Sequence, residues 1–427
     1  MLDLVDARDH GGPFPLHRPG GHRAEDAAEE ARDIVADVRL RGDAAVLEYT
    51  ARFDRVRLSP ESIRVDPVDV AATRSMVPPG LLEALTAMAA ACRQRGERSL
   101  RATWFDRSAG SVVGELVRPV RRAGVYVPAG RNGSPAAIIT AVVPAQVAGV
   151  DAIAVCSPPS ASGEIPASTL AACAVVGVTE VYRIGGAQAI AALAYGTESV
   201  RPVEKVVGRG GRFVSSAQRC VRGWVGTGPE SGASELVIVA DETSSPQTIA
   251  LDLMANAAKG PGGTHAVVTA AEGLLDDVVA ALNEEVASIE DSEDVENALI
   301  EGGRGILVRD LDHAVETANA FAPQYLMLHI AAAETILTKI RNAGAVLLGS
   351  ASPVAVLPFV AGTGGVLPTG GSARWDSGLA PADFVKTIPV CGADASRLRE
   401  AASLAEAVAE AQGLPADPLA LYGRLSS

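Results

Sequence analysis

The sequence predicts an α/β protein with two mainly parallel sheets and an extension at each end. Three observations favour this class. Nearly half of the 427 residues are apolar but only 4% are aromatic, which suits Ala-rich helices packed on Val- and Ile-rich strands. From about residue 112 short β-rich runs alternate with helical stretches, as in βαβ units. These runs are too numerous for one compact sheet.

The elements follow in chain order. A Pro- and Gly-rich arm over residues 11–21 precedes a helix at 25–42, where apolar residues have helical spacing and the first turn is acidic. The β-rich runs extend from GVYVP to AVLLG. A Gly, Pro and Ser cluster at 226–234 predicts the passage from one sheet to the other. Beyond the last strand, SRLREAASLAEAVAEAQGL and PLALYGRL predict two helices with no strand between them.

Composition favours small-molecule partners. The net charge of −14 opposes attraction to nucleic acid and to anionic membranes. No apolar run has the length of a membrane span, and the N-terminus lacks the layout of a signal peptide, so we expect a cytoplasmic protein. Five cysteines without a CxxC pair indicate neither a disulfide framework nor a cysteine zinc site, and we expect Cys156 and Cys173 to be core residues.

Three Gly-rich strand ends are candidate ligand sites. In residues 124–144 a strand and a turn lead to a helix with Ser134 at its cap and Pro135 at its first position. Such a helix start binds anions, typically phosphate, although an ordinary βα connection has the same pattern. Residues 183–197 repeat the design, with Gln188 facing the turn. At 208–212 the run GRGGR has the glycines and arginines to hold a pyrophosphate, but it is not a GxGxxG fingerprint.

The histidines give no metal-binding pattern. His10, His17 and His22 lie in the N-terminal arm, and none of the six histidines forms an i, i+4 pair or an HExxH motif. The sequence therefore indicates no helical zinc site.

Several ordered blocks resemble the histidinol dehydrogenase family: GVYVPAGR, GGAQAIAALAYGTESV, SELVIVADE, VLPTGGSAR and SGL followed by DFVK. The resemblance extends from about residue 25 to the C-terminus. It implies a homodimer of subunits with two incomplete Rossmann-like domains, in which exchanged C-terminal arms complete each active site. It also implies a two-step, NAD-dependent oxidation of an amino alcohol through an aldehyde to an acid, with zinc holding the substrate.

The resemblance divides the chain into four parts. Residues 1–24 are the N-terminal arm, and residues 25–110 together with 235–378 form the first Rossmann-like domain. Residues 111–234 form the second domain, the candidate NAD side. Residues 379–427 are a helical arm that we expect to be exchanged in a dimer.

The cofactor positions implied by the resemblance are largely kept. By similarity the NAD groove involves Tyr126, Pro128 and Gln188. The family's Gly-Pro-Gly-Asn turn corresponds to Gly208–Gly211 here, so Gly208 and Gly211 are candidate contacts while the Asn is lost. NAD is therefore a possible cofactor.

The zinc positions implied by the resemblance are not kept. The family's glutamine and histidine ligands correspond to Asn256 and Lys259, its aspartate to Pro358, and its C-terminal histidine to Asp417. Zinc needs deprotonated N, O or S donors, and an ammonium group repels it. We therefore expect zinc to be absent.

The proton-transfer positions also differ. The family's Glu-His pair corresponds to Gln324 and Tyr325, and an acid of its C-terminal arm corresponds to Gln412, whereas Ser234 and Glu235 of the contact set remain. We predict that Tyr325, Gln324 and Lys259 are catalytic, with Lys259 lowering the pKa of Tyr325. The predicted substrate-binding residues are Ser234, Asn256, Asp417 and Gln412.

Two further expectations follow from these substitutions. One hypothesis pairs Lys259 with Asp417 of the other subunit, at the former position of the metal, and the alternative is that both side chains face solvent. For function we expect a zinc-independent, NAD-linked oxidoreductase that acts on a small polar alcohol, aldehyde or imine other than histidinol. Two alternatives remain open, namely a non-redox enzyme that catalyses condensation or dehydration, and a catalytically silent binding partner.

Overall fold

The structure is a computed structural model that describes residues 1–19, 23–108, 110–130, 133–289 and 292–425. Its strands are β1 (Asp3–Asp6), β2 (Trp104–Ser108), β3 (Ser111–Pro119), β4 (Arg122–Tyr126), β5 (Ala152–Ser157), β6 (Glu180–Arg183), β7 (Lys205–Gly208), β8 (Gly226–Thr227), β9 (Glu235–Ala240), β10 (Thr264–Thr269), β11 (Gly303–Leu307), β12 (Tyr325–His329), β13 (Ala345–Leu348) and β14 (Val385–Ala393).

The α-helices are α1 (Arg23–Arg41), α2 (Asp43–Phe53), α3 (Pro60–Ile63), α4 (Pro67–Ala72), α5 (Pro79–Ser99), α6 (Pro135–Ala148), α7 (Ala167–Val175), α8 (Gly186–Tyr195), α9 (Arg212–Val221), α10 (Pro246–Ala257), α11 (Leu274–Val286), α12 (Ser292–Gly302), α13 (Leu311–Phe321), α14 (Leu357–Val360), α15 (Ala395–Gln412) and α16 (Ala416–Leu425).

Two parallel sheets form the body of the protein, and this confirms the predicted α/β class. The first has six strands in the order β1-β11-β10-β9-β12-β13. The second has five strands in the order β6-β5-β4-β7-β8. The chain passes from the second sheet to the first between β8 and β9, where the Gly- and Pro-rich cluster predicts it.

Both sheets are covered on both faces, which explains their nearly continuous apolar strands. In β9, Leu236 and Ile238 pack into one core cluster while Val237 and Val239 pack into another. The alternation of side chains along a strand sends successive residues to opposite faces. Cys156 and Cys173 are fully buried, as expected of core residues.

The N-terminal region differs from the prediction in two respects. The arm contributes β1, which pairs with β11 at the edge of the six-stranded sheet. Helix α1 packs against α8 and α9, and α5 packs against α6, so residues 23–99 cover the five-stranded sheet. The prediction assigns residues 25–110 to the first domain. In the structure, apolar side chains of α1 lie in the same core cluster as side chains of α8 and α9.

The C-terminal region has the predicted pair of helices, α15 and α16. It also contains β14, which forms an antiparallel three-stranded sheet with β3 and β2. Apolar side chains on both helices are exposed in the single chain, among them Leu404 and Leu419. Within the described ranges, no single helix is long and apolar enough to cross a membrane. One pair of helical segments, Pro67–Ser75 and Pro79–Ser99, reaches the required length and apolar composition only when the two are counted together, and the pair is sharply bent.

Candidate active site

A cleft of about 1540 Å³ lies where the two sheets face each other. On one wall, Pro128 follows β4 and Arg209 follows β7, so this wall is the carboxyl end of the five-stranded sheet. On the other wall, Glu235, Thr264 and Tyr325 are the first residues of β9, β10 and β12. The cleft therefore joins the carboxyl end of one sheet to the amino end of the other.

This orientation gives the two walls opposite polarity. Helices α6 and α9 point their N-termini at the cleft, since Ser134 and Gly211, their N-cap residues, line it. Helix α10 instead ends at the cleft with Asn256, and Lys259 follows it. A helix N-terminus carries partial positive charge and a C-terminus partial negative charge. The five-stranded wall therefore favours anions, and the end of α10 on the six-stranded wall favours cations.

Buried polar side chains form a hydrogen-bonded network under the six-stranded wall, named here the Ser234 network (Ser234, Asn256 and Gln324). The Ser234 hydroxyl lies 2.7 Å from Asn256 Oδ1 and 3.0 Å from Gln324 Oε1. Gln324 Oε1 also accepts from the backbone N–H of Glu235 at 3.3 Å. Of the three residues Asn256 lines the cleft, while Ser234 and Gln324 are buried behind it.

This arrangement places two of the predicted site residues behind the cleft surface. Gln324 was predicted to be catalytic, but its side chain supports Ser234 and Glu235 and does not line the cleft. Ser234 was predicted to contact substrate, but its hydroxyl is occupied by the two amides. Ser234 directly precedes β9, and Gln324 directly precedes β12. Both strands lie inside the sheet, and the two side chains are buried in the wall.

Tyr325 lies in the cleft wall, but its environment differs from the predicted one. Its hydroxyl donates to the carbonyl oxygen of Gly364 at 3.1 Å. Burial raises the pKa of Tyr325, and the nearby Arg209 charge offsets this only in part. Lys259 Nζ lies 4.6 Å from the centroid of the Tyr325 ring, over its face and not at its hydroxyl. The predicted lowering of the Tyr325 pKa by Lys259 is therefore wrong.

Lys259 reaches the cleft from the end of α10. Its Nζ donates to Asn256 Oδ1 at 3.1 Å. Lys259 is exposed to the cleft in the single chain, and the neighbouring protein still lowers the pKa of Lys259 to about 8, mainly through loss of hydration. The Arg209 charge acts in the same direction, and Asp252 opposes it. Lys259 therefore has a substantial neutral fraction near physiological pH.

Two charged side chains of this wall, Arg18 and Glu235, form an ion pair. Glu235 Oε1 accepts from Arg18 Nε at 2.7 Å and from the backbone N–H of Gly370 at 2.9 Å. Glu235 Oε2 has no hydrogen-bond partner within the described residues, although the side chain is only 6% exposed. The match to the family's Ser-Glu block is the sequence signal that identifies Glu235.

His265 lies next to the Ser234 network and contributes no charge. Its Nδ1 lies 2.9 Å from Asn256 Nδ2, which donates to it. Burial, together with the Lys259 charge, lowers the pKa of His265 to about 4. The ring is therefore neutral at physiological pH and serves to orient the Asn256 amide.

The five-stranded wall contains the predicted cofactor residues at two depths. Pro128 and Gly211 line the cleft, whereas Tyr126, Gln188 and Gly208 lie behind its surface. The Tyr126 hydroxyl accepts from the backbone N–H of Gly186 at 3.3 Å. At the start of α8, Gln188 is 1% exposed, and neither its Oε1 nor its Nε2 has a hydrogen-bond partner within the described residues.

Asp54 joins this group from the end of α2. A Cβ placed on Gly185 would lie 3.1 Å from Asp54 Oδ1, so the carboxyl group contacts the start of α8. Burial raises the pKa of Asp54 to about 6, and its Oδ2 has no partner among the described residues. Asp54 and Gln188 are thus buried polar groups without full hydrogen bonding beside the start of α8. Residues 131 and 132 of the first Gly-rich turn, and His22 of the arm, lie outside the described residues.

The residues present do not fit a zinc ion. At the positions implied by the resemblance, Pro358 has no donor side chain, and Asn256 Oδ1 already accepts hydrogen bonds from Ser234 and Lys259. The described ranges contain no group of three or more His, Cys, Asp or Glu side chains that could hold a metal ion. Gln412 and Asp417 lie on α15 and α16, are exposed, and do not line the cleft of the single chain.

Comparisons with known proteins extend over nearly the whole chain. The sequence model of the family described as histidinol dehydrogenase matches residues 18–425. A histidinol dehydrogenase of Methanothermobacter thermautotrophicus is 38% identical over 402 residues, covering 94% of each chain. One from Thermobifida fusca is 40% identical over 411 residues, covering 93% of this chain and 92% of its own. The crystal structure of histidinol dehydrogenase from Elizabethkingia anophelis superposes with a TM-score of 0.89 at 25% identity, covering 100% of this chain and 98% of its own.

These findings correct the functional expectation drawn from the sequence. The changed residues at the reactive centre suggested a substrate other than histidinol, or no redox chemistry. Relatives that are 36–40% identical over most of their length are histidinol dehydrogenases, so the expectation of another substrate is wrong. Because the family model, the relatives and the fold agree over the same residues, the chain belongs to the histidinol dehydrogenase family of oxidoreductases.

Proposed function

We propose that the chain oxidises histidinol with NAD as hydride acceptor, through an aldehyde to the acid. The observation that carries the proposal is the 36–40% identity to histidinol dehydrogenases over more than nine-tenths of the chain. The polarity of the cleft supports it. Histidinol carries an ammonium group and NAD carries a pyrophosphate, and each matches one wall.

On the six-stranded wall, Glu235 is the proposed partner of the substrate ammonium group. Its Oε2 is without a partner in the described residues, and the C-terminal end of α10 adds partial negative charge. The Ser234 network holds the wall in place, because Gln324 binds both the Ser234 hydroxyl and the Glu235 backbone. Gln324 is thus a positioning residue in this proposal.

On the five-stranded wall, Arg209, Gly211 and the N-terminus of α9 are proposed to hold the cofactor pyrophosphate. Gln188, which is buried behind the cleft surface and whose amide lacks partners within the described residues, is proposed to support the cofactor site from behind. When bound there, NAD supplies the acceptor for the hydride of the alcohol carbon.

Proton transfer is assigned to Lys259 and not to Tyr325. Lys259 lines the cleft with a pKa lowered to about 8, so it can accept a proton from the alcohol at mildly alkaline pH. Tyr325 keeps its proton because burial raises its pKa. Its ring forms the surface over which Lys259 lies.

The proposal has further parts that concern the whole protein. Zinc is proposed to be absent, because an ammonium group and a proline stand at family ligand positions. The chain is proposed to be a cytoplasmic homodimer with exchanged C-terminal arms that binds a small-molecule substrate and neither nucleic acid nor membrane. Asp417 and Gln412 are proposed to reach the cleft of the partner subunit.

The test is NADH formation from histidinol by the purified chain. Glu235→Gln is expected to lower kcat/KM by about tenfold or more, mainly through KM, because a charged hydrogen bond to the ammonium group is lost. Glu284→Gln, an exposed change on α11, is the control and should keep the wild-type rate.

Two results would contradict the proposal. Absence of NADH formation, together with no heat of NAD binding by calorimetry, would remove the proposed oxidation. Loss of activity on chelation, with recovery on adding zinc, would remove only the zinc-free part.

A further inference from the structure

Lysine is scarce in this chain, and a single lysine lines the cleft. The chain has 37 basic residues, of which only Lys205, Lys259, Lys339 and Lys386 are lysines. Arginines supply the other basic side chains around the cleft, among them Arg209. A guanidinium keeps its proton, whereas an amine can lose it and become a nucleophile. Lys259 can therefore act as a nucleophile in the cleft, which the arginines cannot.

The surroundings of Lys259 are those that activate an amine. A lysine becomes nucleophilic when it is poorly hydrated or lies near another cation. Lys259 Nζ is partly desolvated, the Arg209 charge acts on it, and Asn256 Oδ1 accepts a hydrogen bond from it at 3.1 Å. The Tyr325 ring covers one side, with its centroid 4.6 Å from Nζ. The open side is the cleft itself.

No cysteine competes for this role within the described part of the cleft wall, because none lines it. Cys92, Cys156 and Cys173 are buried in the core, and burial raises the pKa of each thiol. Lys259 is therefore the candidate nucleophile of the cleft.

We propose that Lys259 forms a reversible imine with the aldehyde intermediate of the oxidation, and so retains it in the cleft between the two hydride transfers. This inference rests on the proposed function, which supplies the aldehyde. Nζ first releases to solvent the proton that it took from the alcohol. The neutral Nζ then attacks the carbonyl carbon, a C–N bond forms, and one proton of Nζ moves to the carbonyl oxygen. The carbinolamine then loses water, which carries away that oxygen and a proton from Nζ, and leaves a C=N bond. Addition of water reverses both steps, so neither oxidant nor reductant is consumed.

Asn256 has a defined part in this chemistry. Its Oδ1 fixes the direction of Nζ, and its Nδ2 donates to His265 Nδ1 at 2.9 Å. The amide is thus held from both ends, which keeps Nζ directed towards the cleft. Asn256 acts through Lys259 and is a positioning residue.

The experiment traps the imine directly. The full-length protein is incubated with imidazole-4-carbaldehyde and cyanoborohydride, which reduces an imine to a stable secondary amine, and the modified lysines are located by peptide mass spectrometry. We expect Lys259 to be modified about tenfold or more faster than the other three lysines, because more of it is neutral. Lys339→Arg, which changes an exposed lysine paired with Asp312, is the control and should leave this labelling unchanged.

The outcomes separate the inference from the proposed function. Selective labelling of Lys259 that is absent in Lys259→Arg supports the imine, whether or not histidinol is oxidised. Equal labelling of the four lysines, or an unmodified Lys259, overturns the imine even if NADH forms from histidinol. Labelling of the wild-type protein decides the point, so the outcome does not depend on how well a variant folds.

Discussion

At the scale of single residues, the Ser234 network shows how buried polar groups shape the cleft wall. One hydroxyl proton is shared between Asn256 Oδ1 and Gln324 Oε1, and the same Gln324 oxygen accepts from the Glu235 backbone. An unpaired polar group in such a site costs the full penalty of its desolvation. Loss of one member therefore affects both stability and the position of Glu235.

Gln324→Leu tests this support. We expect the free energy of unfolding to fall by about 1–3 kcal/mol, because the buried Glu235 N–H loses its acceptor. Urea unfolding followed by circular dichroism measures it. Gln94→Leu, at an exposed position of α5, should change stability by less than about 0.5 kcal/mol. Equal stabilities of the two variants would show that the network contributes nothing.

Asp54 gives a pH-dependent prediction with a defined sign. Burial raises its pKa from 3.8 to about 6, so the folded protein binds this proton more tightly than the unfolded chain does. The stability contributed by Asp54 is then complete below about pH 4 and is lost as the pH rises through 6.

Asp54→Asn should remove this part of the pH dependence. At pH 7 we expect an increase in stability of about 1 kcal/mol, less than the full shift implies because solvent reaches part of the carboxyl group. Thermal unfolding at several pH values checks it, with Asp69→Asn, an exposed change on α4, as control. A slope between pH 4 and 6 that survives in Asp54→Asn would contradict the assignment.

At the scale of elements, the ends of strands and helices decide what each wall can bind. The carboxyl end of the five-stranded sheet carries the Gly-rich turns, and the N-termini of α6 and α9 follow them. The amino end of the six-stranded sheet faces the cleft, so the C-terminus of α10 lies there, and Lys259, which follows it, lines the cleft. One cleft thus has an anion-binding and a cation-binding side.

Two of the three glycines at 208–211, at the end of β7, differ in their tolerance for a side chain. Gly208 has φ +135°, and an added Cβ would lie 2.0 Å from the Tyr126 carbonyl oxygen. Gly211 has φ −71°, and nothing lies within 4 Å of an added Cβ. Gly208 is therefore required by the close approach of β4 and β7, whereas Gly211 is not.

Gly208→Ala should destabilise the fold by about 3 kcal/mol or more, through backbone strain and overlap with β4. Gly211→Ala should cost less than about 1 kcal/mol, the usual loss at a helix N-cap. Chemical unfolding compares the two variants, and calorimetry compares their affinity for NAD. A Gly208→Ala protein as stable as Gly211→Ala would contradict the close packing of β4 and β7.

At the scale of the whole molecule, the C-terminal arm is the part whose role depends on a partner. Helices α15 and α16 expose apolar side chains, and Asp417 and Gln412 lie outside the cleft of their own chain. If the arms are exchanged, as the family resemblance implies, light scattering should give a mass of twice 43.7 kDa.

Subunit mixing tests the exchange itself. Lys259→Gln and Asp417→Ala are each expected to lower histidinol oxidation strongly as homodimers. In mixed dimers with exchanged arms, one of the two sites regains both wild-type residues, so refolding the two variants together should restore about a quarter of the wild-type rate. Recovery would be absent if each arm served its own chain. A mixture of wild type with Asp417→Ala serves as the reference for reassembly.

Local patterns in the sequence determined the fold class and many positions around the cleft. The alternation of strand and helix predicted the two parallel sheets, and the Ser134-Pro135 pair predicted the start of α6. Of the predicted site residues, Pro128, Gly211, Asn256, Lys259 and Tyr325 line the cleft. These features depend on neighbours in the chain, which a sequence displays directly.

Only the tertiary structure decided how these side chains behave. It turned Ser234 and Gln324 into the wall, raised the pKa of Tyr325, and set Glu235 against Arg18, which lies 217 residues away in the chain. Hydrogen-bond partners and pKa values depend on distances and burial between groups remote in sequence. The sequence alone therefore indicated the loss of the metal ligands. The polarity of the cleft depends on how the ends of the two sheets face each other, which only the tertiary structure gives.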